Sequence, residues 1–131
     1  MILLNFSGHP APRGTEDMEV IDMPLVIANP LPSEISEKAR AVVDMACQNE
    51  KVRECIARGE YQVLLPGYSP LAAALISELA GRTGRLPTVR WAIRRKDKYY
   101  ISPPCRLQAN RTAARARRAI NSGLCADGAG A

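Results

Sequence analysis

The segment 61–79 constrains the fold most, because its hydrophobic pattern changes in the middle. The mostly apolar residues 61–65 are followed by residues 66–70, Pro-Gly-Tyr-Ser-Pro, and then by an almost wholly apolar stretch of helical length. The first run predicts a buried strand. Ser69 suits the N-cap and Pro70 the first position of a helix. The segment therefore predicts a strand, a tight turn and a buried helix.

The same alternation continues along the chain. Further strands are predicted at these segments: Ile2–Phe6, Glu19–Ala28 with Pro24 marking an edge or a bend, Thr88–Ile93, and a short one at Tyr99–Ile101 after a turn at 96–98. Helices are predicted at these segments: Ser33–Arg58 with a break near 48–51, Leu71–Ala80 ended by Gly81, and Arg106–Ile120. We expect a single α/β domain over residues 1–118, with a mostly parallel sheet flanked by helices, and a disordered tail at 119–131.

Several side chains are expected inside this domain. Trp91 shares one face of its predicted strand with Val89 and Ile93, so we expect it in the core. The four cysteines form no C-x-x-C pair, and His9 is the only histidine, so neither a zinc site nor a disulfide framework is indicated. We expect them as buried free thiols.

The charge of the chain is strongly asymmetric. Residues 1–81 carry 6 Lys and Arg against 11 Asp and Glu, whereas residues 82–118 carry 12 basic residues against Asp97 alone. Such a field favours a polyanionic partner. A solubilising basic face followed by a basic tail explains the same pattern without a partner.

No apolar run approaches the roughly 20 residues that a membrane-spanning helix needs. The apolar start, residues 1–4, is too short for a signal peptide. We therefore expect a cytosolic protein with no membrane segment.

Two small polar loops follow neighbouring predicted strands and form the candidate site. Ligands of open α/β sheets bind beyond the carboxyl ends of the strands, where the winding direction switches. Loop 7–9, Ser-Gly-His, and loop 66–70 are expected to lie side by side there. Gly67 has no side chain to block a ligand, and the helix N-terminus offers free N–H groups to an anion. The same residues also suit an ordinary strand-to-helix turn.

Catalytic machinery is sparse. No G-x-S-x-G, Walker or H-E-x-x-H motif occurs, and His9 is the only histidine that could act as a base. His9 can bind a ligand phosphate or act in acid–base chemistry. Cleaving an RNA-type phosphodiester through its own 2′-OH needs in-line geometry more than a special nucleophile, so weak cleavage stays open.

The sequences Ile2–Pro10, ILLNFSGHP, and Val63–Ala73, VLLPGYSPLAA, resemble a small CRISPR-associated family. Its members are stand-alone CARF-like proteins of type III CRISPR systems, related in fold to ring nucleases. Shorter similarities lie at Glu78–Arg82, Pro87–Arg90 and Leu107–Ala109. The resemblance implies a Rossmann-like homodimer that binds cyclic oligoadenylate, above all cyclic tetra-adenylate, across its two-fold axis.

The resemblance also implies site residues. One wall of the ligand site would consist of Asn5, Ser7, Gly8 and His9, and the other of Pro66, Gly67, Tyr68, Ser69 and Pro70. Gly67 and Ser69 would donate backbone N–H groups to phosphates, and Tyr68 would stack on an adenine or pack at the rim. Arg90 and Gln108 are further ligand candidates. The family usually has a helix between the first two strands, whereas this chain has a short loop at 10–14.

Three functions follow as hypotheses. The leading one is a protein that sequesters the cyclic adenylate messenger without cleaving it and so damps the antiviral response. The second is a metal-independent ring nuclease assisted by His9 or a lysine such as Lys96. The third is a nucleic-acid-binding protein that uses the basic third of the chain; it is not favoured, because no helix-turn-helix or aromatic RNA-binding motif occurs. No cofactor is expected, and assembly beyond a dimer is left open.

Overall fold

The computed structural model describes residues 1–24 and 31–118, and these residues form strands and helices joined by loops. The strands there are β1 (Ile2–Asn5), β2 (Glu19–Asp22), β3 (Tyr61–Leu64), β4 (Thr88–Arg90), β5 (Ala92–Arg95), β6 (Lys98–Ile101) and β7 (Cys105–Arg106). The helices are α1 (Pro32–Cys47), α2 (Glu50–Arg58), α3 (Ser69–Thr83) and α4 (Leu107–Ala116). A single small α/β domain results, as the sequence predicts.

Five strands form the main sheet in the order β2-β1-β3-β4-β7. The first four are mutually parallel, and β7 is antiparallel to β4. The chain steps from β1 to β2 in one direction, and then crosses back over β1 to reach β3 on its other side. The winding direction therefore switches between β1 and β3.

Helices α1, α2 and α3 cover one face of this sheet. The crossovers from β2 to β3 and from β3 to β4 run in the same direction, and right-handed crossovers of that kind place their helices on the same side. The main core confirms this, because Leu4, Val63 and Val89 of the strands pack with residues of α1, α2 and α3 such as Val43 and Leu75. The sequence predicts a sheet flanked by helices, and α1, α2 and α3 all lie on the same face of it.

Within residues 1–24 and 31–118 no helix covers the other face, because residues 6–18, between β1 and β2, form none, as the loop at 10–14 predicts. Leu3 and Leu64 point to this face and are fully buried. Leu64 lies beside the loop around Pro12 and beside Ala92 and Tyr99 of the β5–β6 hairpin. This hairpin is tied to the loop, since Arg13 N–H donates to the Tyr99 carbonyl (3.0 Å) and Ile101 N–H to the Arg13 carbonyl (2.8 Å).

Helix α3 differs from its prediction at both ends. Its N-cap is Tyr68, so Ser69 is the first helical residue and does not cap the helix with its side chain. Gly81 does not end the helix, which continues to Thr83 and stops where Gly84 adopts a left-handed conformation (φ 77°). Arg82 explains the extra turn, because it binds Glu78 and Asp44, both at 2.7 Å, and so ties this turn to α1.

The predicted strand 88–93 is broken at Trp91, and the expectation that Trp91 lies in the core is wrong. Its side chain is 43% exposed. The chain leaves the sheet here because Trp91 N–H binds the hydroxyl of buried Ser102 (3.0 Å), which holds the start of the separate β5–β6 hairpin. The described cysteines, Cys47, Cys55 and Cys105, are half-buried free thiols rather than fully buried ones.

Other boundaries agree with the sequence or lie outside the described residues. The break between α1 and α2 and the edge position of β2 are confirmed. Three predictions concern residues outside the described ranges: the continuation of β2 through 25–28, the disordered tail 119–131 and the buried thiol of Cys125. No helix in residues 1–24 and 31–118 has both the length and the apolar character to cross a membrane.

The turn of the hairpin generates a stability prediction. Lys96 has a φ of 57°, a region that costs a non-glycine residue about 1–2 kcal/mol. We expect Lys96→Gly to raise the free energy of unfolding by about 0.5–1 kcal/mol, after the entropy cost of glycine. Urea denaturation measures it. Asp97→Gly is the matched control, because Asp97 has no positive φ; equal stabilisation by both would contradict this explanation.

Tyr61 generates a pH prediction. Burial raises its pKa to about 12, against about 10 in an unfolded chain. The raised value favours folding below about pH 10, and this contribution is lost as the pH rises towards 12. Between pH 9 and pH 11 we expect wild type to lose about 1 kcal/mol more of its free energy of unfolding than Tyr61→Phe. Tyr68→Phe should behave as wild type; identical losses in all three proteins would contradict the assignment.

Candidate functional site

The carboxyl ends of three parallel strands meet in one row. Asn5 pairs with Leu64, and Leu64 pairs with Arg90. Backbone bonds continue this row by one residue, from Phe6 N–H to the Leu64 carbonyl (3.1 Å) and from Leu65 N–H to the Arg90 carbonyl (3.0 Å). Loops 7–9 and 66–70 therefore leave the sheet side by side at the point where the winding switches.

Asn5 organises the first loop. Its side chain is 2% exposed. The Nδ2 group donates to the His9 carbonyl and to Asp22 Oδ1, both at 2.8 Å. Oδ1 accepts from the backbone N–H (3.0 Å) and the hydroxyl (2.6 Å) of Ser7. Both donors and both acceptor positions of the amide are thus used. Asn5 shapes the loop and leaves no polar atom free for a ligand.

The loop that Asn5 holds is closed on itself. His9 N–H donates to Ser7 Oγ (3.2 Å), and Gly8 between them has a φ of 77°, which favours glycine. The His9 side chain is exposed, and its imidazole makes no hydrogen bond with any residue of 1–24 or 31–118. Within this wall the imidazole is the group best placed to meet a ligand.

The second wall is the N-terminus of α3. No side chain caps this helix, and its first turn contains no acidic residue. The positive end of the helix dipole and its N–H groups are therefore not neutralised locally. At Gly67 there is open space, since nothing lies within 4 Å of where a Cβ would stand. Tyr68, 46% exposed, stands at the rim.

A cavity of about 520 Å³ opens beside loop 7–9, on the face of the sheet without helices. It is lined by Ser7, His9, residues 10–13, Leu64, Ala92 and Tyr99. Arg13 and Tyr99 were not predicted as site residues. They meet only because the loop and the hairpin pair at Arg13 and Tyr100, which are distant in sequence. No local pattern in the sequence signals that pairing.

Arg90 lies in the same row of the sheet but lines a different cavity, of about 970 Å³, together with Lys96. Its Nε donates to Gln62 Oε1 and its Nη1 to the Ser102 carbonyl, both at 2.8 Å. The β5–β6 hairpin separates this cavity from that of His9, since Tyr99 lines one and Tyr100 the other. The structure therefore brings neither Arg90 nor Lys96 into the His9 cavity.

Gln108 lies at the opposite end of the sheet. Because β7 runs antiparallel to β4, it ends at the amino edge, and α4 begins there. Gln108 Oε1 accepts from Leu86 N–H (2.9 Å), just before β4. The structure therefore does not bring Gln108 into the crevice of loops 7–9 and 66–70.

The crevice thus offers donors and cations and few acceptors. Among the described residues, no carboxylate lines the cavity beside His9. The residues that the structure describes contain no cluster of three His, Cys, Asp or Glu able to hold a metal ion. Chemically, the arrangement suits the binding of an anion that carries an aromatic group.

Comparison with known proteins adds no relative. No family model, no curated protein and no solved structure matches this chain. The function is therefore argued from the residues of the site and from the resemblance of its two loop segments.

The Asn5 network generates a prediction. Asn5→Ala removes four hydrogen bonds and leaves polar groups of Ser7, His9 and Asp22 without their partner. We therefore expect it to lower the free energy of unfolding by about 2–3 kcal/mol. Ser7→Ala, the matched control in the same loop, should cost about 1 kcal/mol. Denaturant unfolding measures both. Equal costs would contradict the central place of Asn5 in the loop.

Proposed function

We propose that this protein binds cyclic oligoadenylate, cyclic tetra-adenylate in the first place, at the carboxyl edge of its sheet and sequesters it as a homodimer. The observation that carries the proposal is the uncapped N-terminus of α3 beside loop 7–9, at the point where the winding switches. The resemblance of both loops to CARF-like proteins supports it. In that setting the protein would act in the cytosol and damp type III CRISPR signalling.

The phosphates account for the polar part of the site. Backbone N–H groups at a helix N-terminus bind phosphate, and here neither a side-chain cap nor an acidic residue competes with it. His9 and Arg13 line the adjoining cavity and add donors. A phosphodiester between two nucleotides can therefore contact both walls.

The adenines account for the aromatic residues around the site. Tyr68 is 46% exposed and Tyr99 is 52% exposed. Nucleic-acid bases stack readily on exposed tyrosine rings. Tyr68 stands at the N-terminus of α3 and Tyr99 in the His9 cavity, so each can hold a base next to a bound phosphate.

A dimer is the natural form for this ligand. A cavity of about 520 Å³ suits a drug-sized molecule, which is smaller than a ring of four nucleotides. A two-fold axis presents the same loops twice, and a ring of identical nucleotides matches that symmetry. Each protomer would then hold half of the ring.

Sequestration is favoured over cleavage by what surrounds His9. A general base is normally held by a partner that fixes its tautomer and orientation. The His9 imidazole has none within the described residues, and Lys96 lines the other cavity. Because His9 does reach the cavity, the ring nuclease is the second candidate.

Calorimetry with the purified protein tests binding. We expect cyclic tetra-adenylate to bind with one ring per dimer, and Ser69→Asp to weaken binding about tenfold or more, because its carboxylate occupies the phosphate position. Ser77→Asp is the matched control, since it adds the same charge to the exposed face of α3 two turns away. No heat with any adenylate ring, or equal effects of the two variants, contradicts the proposal.

Incubation of labelled cyclic tetra-adenylate with excess protein separates the two candidates. Sequestration predicts that the ring stays intact with wild type and with His9→Ala, and that His9→Ala only weakens binding. Linear product that disappears in His9→Ala would establish the ring nuclease instead.

A further inference from the structure

The β5–β6 hairpin has two faces that serve different cavities. Ile93 pairs with Tyr100 and Arg95 with Lys98, and these four residues line the cavity of about 970 Å³. Tyr99, on the alternate face, lines the cavity of His9. We call the larger space the Arg90 cavity, because Arg90 also lines it.

The Arg90 cavity is strongly cationic. Its charged lining residues are Arg90, Arg95, Lys96, Lys98 and a single acid, Asp97. The ion pairs formed between described residues involve none of these four cations. A concentration of positive charge in a concave site attracts a polyanion.

Arg90 gives this cavity a fixed anchor. It is half-buried, and its two hydrogen bonds go to the neutral acceptors Gln62 and Ser102. Burial without a carboxylate lowers the pKa of Arg90. An arginine has five N–H donors, so others are left for a ligand. A bound anion would compensate a charge that the fold holds partly away from water.

The aromatic lining narrows the class of polyanion. Tyr100 is 37% exposed and stands beside Ile93 and Pro103 in the cavity. An exposed ring between cations is the arrangement on which unpaired bases stack while phosphates meet Lys and Arg. A duplex hides its bases, and a second copy of this face would bring like charges together.

We propose that the Arg90 cavity binds single-stranded nucleic acid, with phosphates on Arg90, Arg95 and Lys98 and a base on Tyr100. The site is distinct from the His9 cavity, because the hairpin separates them. The proposal does not depend on cyclic adenylate binding.

Fluorescence anisotropy with a short labelled single-stranded RNA of mixed sequence, measured over a salt series, tests this. The double variant Arg95→Gln with Lys98→Gln should weaken binding about tenfold at low salt and reduce the slope of log K against log salt by about 1.4. Tyr100→Leu should weaken binding about fivefold and leave that slope unchanged.

The matched control is Arg111→Gln with Arg115→Gln, which removes two exposed charges of the same basic third from α4. We expect it to change the affinity less than about twofold, and circular dichroism confirms folding of every variant. Absence of salt-dependent binding, an equal loss in the control, or equal affinity for a matched duplex would overturn the proposal. Retained cyclic tetra-adenylate binding in the Arg95 and Lys98 variant separates this outcome from that of the proposed function.

Discussion

The parallel pairing of β1 with β3 is the contact on which the rest of the structure depends. The chain makes β2 on one side of β1 before it returns to the other side, so this pairing is where the winding reverses. It brings Asn5 beside Leu64 and sends two loops out of the same edge. Asn5 then binds Ser7 and His9 of loop 7–9 and Asp22 of β2 with its amide. The N-terminus of α3, which follows β3, has no side-chain cap. The β1–β3 pairing thus sets the positions of both the buried Asn5 amide and the uncapped N-terminus of α3.

The absence of a helix in residues 6–18 has a second consequence, because α1, α2 and α3 then all cover the same face. The opposite face must still bury Leu3 and Leu64. The loop around Pro12 and the β5–β6 hairpin do so with little apolar material, and a two-stranded hairpin is weakly stable by itself. The hairpin instead exposes tyrosines and cations, and its two faces line separate cavities. The segment that covers this face of the sheet therefore also supplies tyrosines and cations to both cavities.

These cavities share an electrostatic character and differ in detail. The His9 cavity is lined by an imidazole, Arg13 and Tyr99, and suits a compact phosphate ligand. The Arg90 cavity is more cationic and more open along the hairpin, which suits an extended strand. Part of the positive charge of residues 82–118 lies on the β5–β6 hairpin and not only on α4. The hairpin places this charge in a cavity, where it can attract an anionic ligand.

Local pattern alone determined the α/β class, most element boundaries and the edge position of β2, because hydrophobic period and turn residues act over short distances. The adjacency of loops 7–9 and 66–70 follows from the pairing of β1 with β3. Tertiary structure alone decided that Trp91 lies outside the core, that α3 passes through Gly81, and that Gln108 lies at the far edge. It also brought Arg13 to Tyr99 and set Arg90 apart from His9. Those outcomes depend on contacts between distant segments: Ser102 with Trp91, Arg82 with Asp44, and β7 antiparallel to β4. Such contacts are selected by packing and hydrogen bonding of the whole domain, which leave no periodic signal in the sequence.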